Sequence, residues 1–326
     1  MTILFITLKA LILAVGLMTA AAGELIMERK MLGYLQYRVG PNRVGPWGLL
    51  QPIADVVKML FKEDIIPRDA DKMVFRLAPM VTFFVALAAW AIIPIGPGMA
   101  MANVNAGLLV FLAIGSMGVY GVALGGWASQ SKYTLLGSMR ATAQMISYEL
   151  AMGMALIGVI LMAGSVKLDD IVAAQAGGMY RYFWLPQLIG FGVFIVAALA
   201  ETARTPFDLP EAEAELVGGY HTEYAGMRFG LFFLGEIVHL LTMATLISLL
   251  YLGGWNGKGI FAALPPTVNL LIKVACMIFV FIWIRATWPR FRYDRLMAFG
   301  WKVMLPLAAV NLIGTAVYVA LWAPKA

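Results

Sequence analysis

The sequence predicts an all-α integral membrane protein with about eight transmembrane helices, structured cytoplasmic-side loops and an amphipathic helix near residues 50–62. Three observations carry this. Mean hydropathy is +0.84, and 62% of the 326 residues are hydrophobic against 13% charged. Apolar runs close to the roughly 20 residues needed to cross a bilayer as helix recur along the whole chain. Period-two alternation is absent, which disfavours a transmembrane barrel, whereas helices satisfy their own backbone in lipid.

The runs fall at about 3–25, 77–95, 106–127, 140–163, 184–200, 229–253, 268–287 and 303–322, and read as one membrane domain over 1–326. The fifth is short. The first, around ALILAVGLMTAAAGE, resembles a signal-peptide core. Yet Arg29, Lys30, Arg38 and Arg43 follow it and only Lys9 precedes the small residues, the charge order of an uncleaved span with its N-terminus outside.

After the first span, RVGPNRVGPWG (38–48) is turn chemistry. In LLQPIADVVKMLFKED, Gln51, Asp55, Lys58 and Lys62 make one polar stripe of a helix, and Leu50, Ile53, Val57, Leu60 and Phe61 cover the rest. Pro52 fits the first turn, where no N–H is needed. Such a helix either lies in the interface with its apolar face in lipid, or packs into protein with its stripe lining a cavity. Outer loops are short, such as GPGMAMANVN (96–105), and the long polar segments are 26–76, 128–139, 201–228 and 288–302. Lys and Arg number nine in 29–76, then two, two and five after spans 3, 5 and 7, counting Arg285. After spans 2, 4 and 6 they number none, two and one. The positive-inside rule places the odd loops in the cytoplasm and both termini outside. The pI near 9.4 is then a matter of topology, with no nucleic-acid partner implied.

Several ionisable residues fall within spans. Glu24 and Glu28 are i,i+4 near the inner end of the first, and Glu149 lies about nine residues into the fourth. Glu236 and His239 share a face of the sixth, and Lys273 and Arg285 lie near the ends of the seventh. Long basic side chains near span ends can snorkel. A carboxyl at the depth of Glu149 or Glu236 cannot, and marks a functional site by default. The stretch PFDLPEAEAELVGGYHTEYAG (206–226) adds to this set: between Glu201 and Glu223 there are six acids and one cation, Arg204. Crowding and burial raise carboxyl pKa values toward neutrality, which suits a proton entry or relay. The competing reading is a solvated acidic loop, with PFDLP as a turn and EAEAEL as a short helix. No ligand spacing defines a metal site.

A single cysteine, Cys276, excludes iron–sulfur clusters held by this chain, a cysteine zinc site and an intrachain disulfide. His221 and His239 fall at different depths, which speaks against a bis-histidine haem, and no phosphate-binding loop is present. Any redox centre or nucleotide then belongs to a partner. No internal repeat is visible, which weighs against an inverted-repeat transporter.

Four stretches carry a resemblance: ERKMLGYLQYRVGPNRVGPWGLLQPIADVVKMLFKED (28–64), GSMRATAQMISYELAMG (137–153), ETARTPFDLPEAEAELVGGYHTEYAGMRFGLFFLGE (201–236) and IRATWPRFRYDRLMAFGWK (284–302). They cover about a third of the residues and resemble the H-subunit family of NADH–quinone oxidoreductase (respiratory complex I), whose mitochondrial counterpart is NADH dehydrogenase subunit 1. The resemblance implies a position at the joint of the peripheral and membrane arms, where the chain forms much of the quinone access channel. It also implies that buried carboxylates start the chain of charged groups linking quinone reduction to proton translocation. Carried over, Arg29, Arg38, Asp55, Lys58, Phe229, Arg285, Arg290, Arg292 and Asp294 belong to the channel. Glu149, Glu201, Glu211, Glu213, Glu215, Glu223 and Glu236 belong to the proton relay. Quinone (ubiquinone or menaquinone) is implied as substrate, with no flavin, iron–sulfur cluster or haem on this chain. The implied partners are the cluster-bearing peripheral arm at the cytoplasmic loops, the small and antiporter-like membrane subunits, and lipid. The implied location is a bacterial plasma (inner) membrane ahead of the mitochondrial one. Two other readings stand beside this: the related membrane subunit of an energy-converting hydrogenase, which needs no quinone, and a stand-alone ion transporter.

Overall fold

The computed structural model describes residues 2–177, 181–208, 218–257 and 262–322. The helices are α1 (Thr2–Leu35), α2 (Gln51–Phe61), α3 (Lys72–Ala89), α4 (Gly107–Ala128), α5 (Lys132–Ala163), α6 (Leu168–Ala174), α7 (Leu188–Glu201), α8 (Gly226–Leu250), α9 (Pro266–Thr287), α10 (Tyr293–Phe299) and α11 (Leu305–Trp322). No strand occurs among the described residues. Seven helical stretches have the length and apolar composition to cross a membrane. The fold is that of an all-α integral membrane protein.

The centre of the bundle is α8, which packs against α1, α3 and α9, while α5 is held between α4, α7 and α11. Sequence dictates this centre. The run IVHLLTMATLISLL is apolar or hydroxyl-bearing on nearly every face, and Thr242, Thr245 and Ser248 satisfy their hydroxyls on carbonyls one turn back. In contrast α1 is mostly exposed and buries one stripe, Leu17, Ala21, Glu24, Leu25 and Glu28. Asp71 caps α3, accepting from the backbone of Met73 and Val74 at 3.1 and 3.3 Å. The predicted turn before α2 closes at Gly48, whose φ of +78° and contact with the Pro41 carbonyl leave no room for a side chain. At the other end of the bundle Lys273 donates to the carbonyls of Leu252, Gly254 and Asn256 at 2.7, 2.7 and 2.8 Å. This buried-stem lysine therefore ties down the chain leaving α8.

Two helix bounds differ from those the sequence predicts. The apolar run at 184–200 predicts a fifth span there, but helix begins only at Leu188, after Pro186, and ends at Glu201. Its 14 residues reach about 21 Å at 1.5 Å per residue, short of the roughly 30 Å hydrocarbon layer. The chain therefore leaves helix while still inside the bundle: Glu201, Thr202, Arg204, Phe207 and Asp208 are all buried. Irregular backbone at depth is tolerated only where protein satisfies it. Here Gln144 of α5 does so, donating to the carbonyls of Ala200 at 2.7 Å and Phe207 at 2.8 Å. The second difference concerns 288–302, which the sequence presents as an inner loop. Helix resumes at Tyr293, passes through a π-helical turn at Gly300–Met304 and continues into α11. Buried Leu296 and Met304 supply the packed face that holds it.

Candidate functional site

The polar stripe of α2 faces α1. Asp55 accepts from Arg29 at 2.5 Å and from Gln51 at 3.2 Å, with Lys58 3.7 Å away. Ile53, Leu60 and Phe61 point outward and are exposed. The helix thus presents apolar surface to its surroundings and ionic groups to the chain, as an interfacial helix does. A groove of about 430 Å³ separates it from residues 218–229, lined by Lys58, Met59, Lys62, His221 and Phe229.

Glu28 immediately precedes Arg29 but turns inward. It accepts from Arg204 at 3.1 Å and also from Arg285. Glu24, one turn away on the same buried stripe, lies within electrostatic reach of Arg204. Removing such charges from water costs several kcal/mol each unless they are paired, so the two guanidiniums are what make a buried carboxylate on α1 tenable.

Beyond Arg204 lies an internal cavity of about 60 Å³, whose lining includes Glu201, Glu236, His239, Tyr220, Thr82 and Thr202. That volume exceeds the roughly 10–15 Å³ a single water needs. Tyr220 donates to Glu236 at 2.5 Å. His239 Nε2 stands 3.3 Å from Glu201 Oε1, close enough for an ion pair but without an aligned hydrogen bond. Glu236 also feels Arg204, Asp208 and His239. Glu149, outside the cavity lining, is hydrogen-bonded by Ser116 and within electrostatic reach of Glu201 and His239. Outside the spans, burial pushes the Tyr224 phenol up, which keeps it a neutral donor to the Gly125 carbonyl at 3.3 Å.

A third contact set joins the irregular segment after α7 to the chain before α10. Arg290 donates to Asp208 at 2.9 Å, the Phe291 N–H donates to the Pro206 carbonyl at 3.1 Å, and the Phe207 and Phe291 rings stack.

The family model described as NADH dehydrogenase matches residues 8–316. A protein of Symbiobacterium thermophilum, named as the first H subunit of its NADH-quinone oxidoreductase, is 60% identical over 99% of this chain and 99% of its own length. The chain belongs to the H-subunit family of NADH-quinone oxidoreductase. The second such H subunit of Syntrophobacter fumaroxidans is 51% identical, covering 97% of this chain and 96% of that protein. The H subunit of Rhodospirillum centenum is 50% identical, covering 98% and 96%.

Within this member of the family, the predicted residues divide by place. Arg29, Asp55 and Lys58 meet at α2, and Phe229 lines the adjoining groove. Arg285 joins the interior at Glu28, whereas Arg290 serves the contact with Asp208. Arg38 is exposed, and Arg292 pairs with Asp294 at 3.1 Å on the surface, where such a pair contributes little. Glu201 and Glu236 line the cavity, Glu149 lies outside the lining but within electrostatic reach of Glu201, and Glu223 is half-buried away from it. Glu211, Glu213 and Glu215 lie outside the described residues. Neither predicted set contains Glu28, Arg204, Asp208, Ser116, Tyr220 or His239. Glu28 and His239 do carry a signal in the sequence, each sharing a helix face with another acid. Ser116 and Tyr220 carry none.

Proposed function

We propose that this chain is the membrane subunit of a proton-pumping NADH:quinone oxidoreductase that forms much of the quinone access channel and links quinone reduction to proton translocation. Flavin and iron–sulfur clusters then reside on the peripheral-arm partners at the cytoplasmic loops, and the small and antiporter-like membrane subunits continue the charged path. The substrate is ubiquinone or menaquinone, the membrane is a bacterial plasma membrane, and both termini face outside. One observation carries this reading: consecutive residues of α1 serve two networks, Arg29 holding Asp55 on the amphipathic helix and Glu28 holding Arg204 and Arg285 in the interior.

A quinone has a polar head and an isoprenoid tail. The outward apolar face of α2 and its inward ionic stripe match the two parts. Reduction to quinol consumes two electrons and two protons. Taking a proton or shifting charge near Asp55 changes the pull on Arg29, and the adjacent Glu28 answers to Arg204. Arg204 acts in turn on Glu236 at the cavity. A channel event and a carboxylate event therefore share one helix turn and one guanidinium. The channel set comprises Arg29, Arg38, Asp55, Lys58, Phe229, Arg285, Arg290, Arg292 and Asp294. The relay set comprises Glu149, Glu201, Glu211, Glu213, Glu215, Glu223 and Glu236.

The test is a mild-detergent isolation of the chain with its partners from the native membrane, followed by assay of NADH:quinone reductase activity. The expected eluate contains flavin and iron, and quinone-site inhibitors abolish its activity. Hydrogenase activity with nickel, or ion flux by the chain alone, would overturn the reading.

A further inference from the structure

We propose that His239 is a proton-carrying group of the internal cavity, passing protons between Glu236 on its own helix and Glu201 across the cavity, with Glu149 in electrostatic reach of Glu201. This rests on the coupling function proposed above, and it adds a residue type that the carboxylate set lacks.

A histidine inside a bundle is ordinarily a packing residue whose ring nitrogens are hydrogen-bonded. His239 is not held in that way. Its Nε2 faces Glu201 Oε1 at 3.3 Å with neither atom arranged in an aligned hydrogen bond, and Glu201 Oε2 has no protein partner. Both side chains line the same cavity of about 60 Å³. The cavity wall is mostly apolar, with Val85, Phe111, Val122 and Met145 among its members, so its polar atoms are gathered at Glu201, Glu236, His239, Tyr220 and two threonines, where a water finds the partners it needs. The groups surrounding the ring come from every neighbouring element. Glu236 stands one turn back on α8, Glu201 and Thr202 end α7, Thr82 lies on α3 and Tyr220 on the short turn before α8, all at the cavity wall. Glu149 of α5 is within electrostatic reach of the ring, and Ser116 of α4 bonds that carboxyl. Arg204 acts on Glu236 from the α1 side.

Chemistry favours an imidazole at this position. Residues three apart on a helix have Cβ atoms about 5–6 Å from each other, so Glu236 and His239 form one face. The carboxyls on the other helices approach the ring from the far side. An imidazole accepts a proton at one nitrogen and releases another from the second, so it moves charge across its own width and returns to its starting state after the ring turns. In balanced form, the proton leaves a Glu236 carboxyl through cavity water and forms imidazolium at His239. Glu201 then accepts it, with no net change in the histidine.

The decisive experiment uses the assembled complex in sealed vesicles carrying His239→Ala or His239→Gln, with coupled turnover and proton uptake followed against pH. Both variants are expected to lose about 100-fold in coupled turnover, the lower end for removing a positioned acid–base group. In His239→Ala, added imidazoles restore turnover, and the restored rate tracks the base strength of the imidazole. His239→Gln fills the space with an amide and shows no restoration. Wild-type pumping and pH profile in His239→Gln would overturn the proposal. Equal rescue of His239→Ala by an apolar ring of the same size would assign the residue to packing and overturn it too. Failure of both variants to assemble would do the same. A wild-type complex that reduces quinone without moving protons would instead remove the coupling reading beneath it, so the two failures are distinguishable.

Discussion

Arg204 lies 3.1 Å from Glu28, 176 positions earlier in the chain, and both side chains are buried. The pair fastens the irregular segment after α7 to the C-terminal half of α1. Replacing Arg204 with methionine keeps much of the volume but leaves Glu28 with Arg285 alone and takes from Glu24 the cation that acts on it. Removing one partner of a buried pair costs about 3–5 kcal/mol. Arg204→Met is therefore expected to lower the thermal stability of the isolated complex and the amount assembled in the membrane. Glu28→Gln is expected to destabilise as well, because a neutral amide takes the anionic partner from both guanidiniums. An Arg204→Met complex with unchanged melting temperature would show that the pair does not hold this segment.

Asp55→Asn addresses the other side of the same helix turn. Asp55 is bound by Arg29, Gln51 and Lys58, and Arg29 is partly exposed, so the bundle does not depend on it. Hydrogen bonds to charged groups contribute about 1.5–3 kcal/mol. The expected result is a KM for quinone raised by about tenfold or more, with assembly near the wild-type level, measured by quinone titration of membranes. Failed assembly, with ordinary kinetics in whatever complex remains, would remove Asp55 from the channel.

The fold was legible wherever one short window carries the signal. The α2 stripe is written in the four-, three- and four-residue spacing of Gln51, Asp55, Lys58 and Lys62, and the long spans in their unbroken apolar runs. The late start of α7 was not legible, because YFWLPQ is nearly as apolar as the helix that follows Pro186. The helix from Tyr293 was hidden by its many cations, which suggested a loop, while its packed face rests on Leu296 and Met304. Long-range pairing is least legible of all. Nothing local to Glu28 announces Arg285, 257 positions away. His239 could be placed beside Glu236 by spacing, but its approach to Glu201 follows only from α7 ending against α8.

Glu149 meets Ser116 at the edge of the carboxylate group. Glu149→Gln preserves shape and hydrogen-bonding capacity but cannot exchange a proton. Coupled quinone reductase activity and proton pumping are expected to fall together in vesicles, while the complex still assembles. Ser116→Ala should have a smaller effect, since it removes a bond and not the proton site. Neighbouring carboxyls titrate as a group, so Glu149→Gln combined with Glu201→Gln is expected to exceed the sum of the two. Pumping near the wild-type level in the single variant would refute an obligatory role for Glu149.

Gln144→Leu tests whether the break after α7 is a built feature of the site. The Gln144 amide, itself fully buried, is the donor for the carbonyls of Ala200 and Phe207. Leucine has similar size and leaves both acceptors without it. A buried polar group deprived of its partner costs about 1–3 kcal/mol, and two such groups flank Glu201 and Arg204. The expected outcome is lower heat stability together with reduced coupled activity, because the displaced segment carries both the partner of Glu28 and the partner of His239. Thermal unfolding and proton uptake measured on one preparation check this. Loss of stability with intact pumping would separate the architecture of the break from the carboxylates it positions.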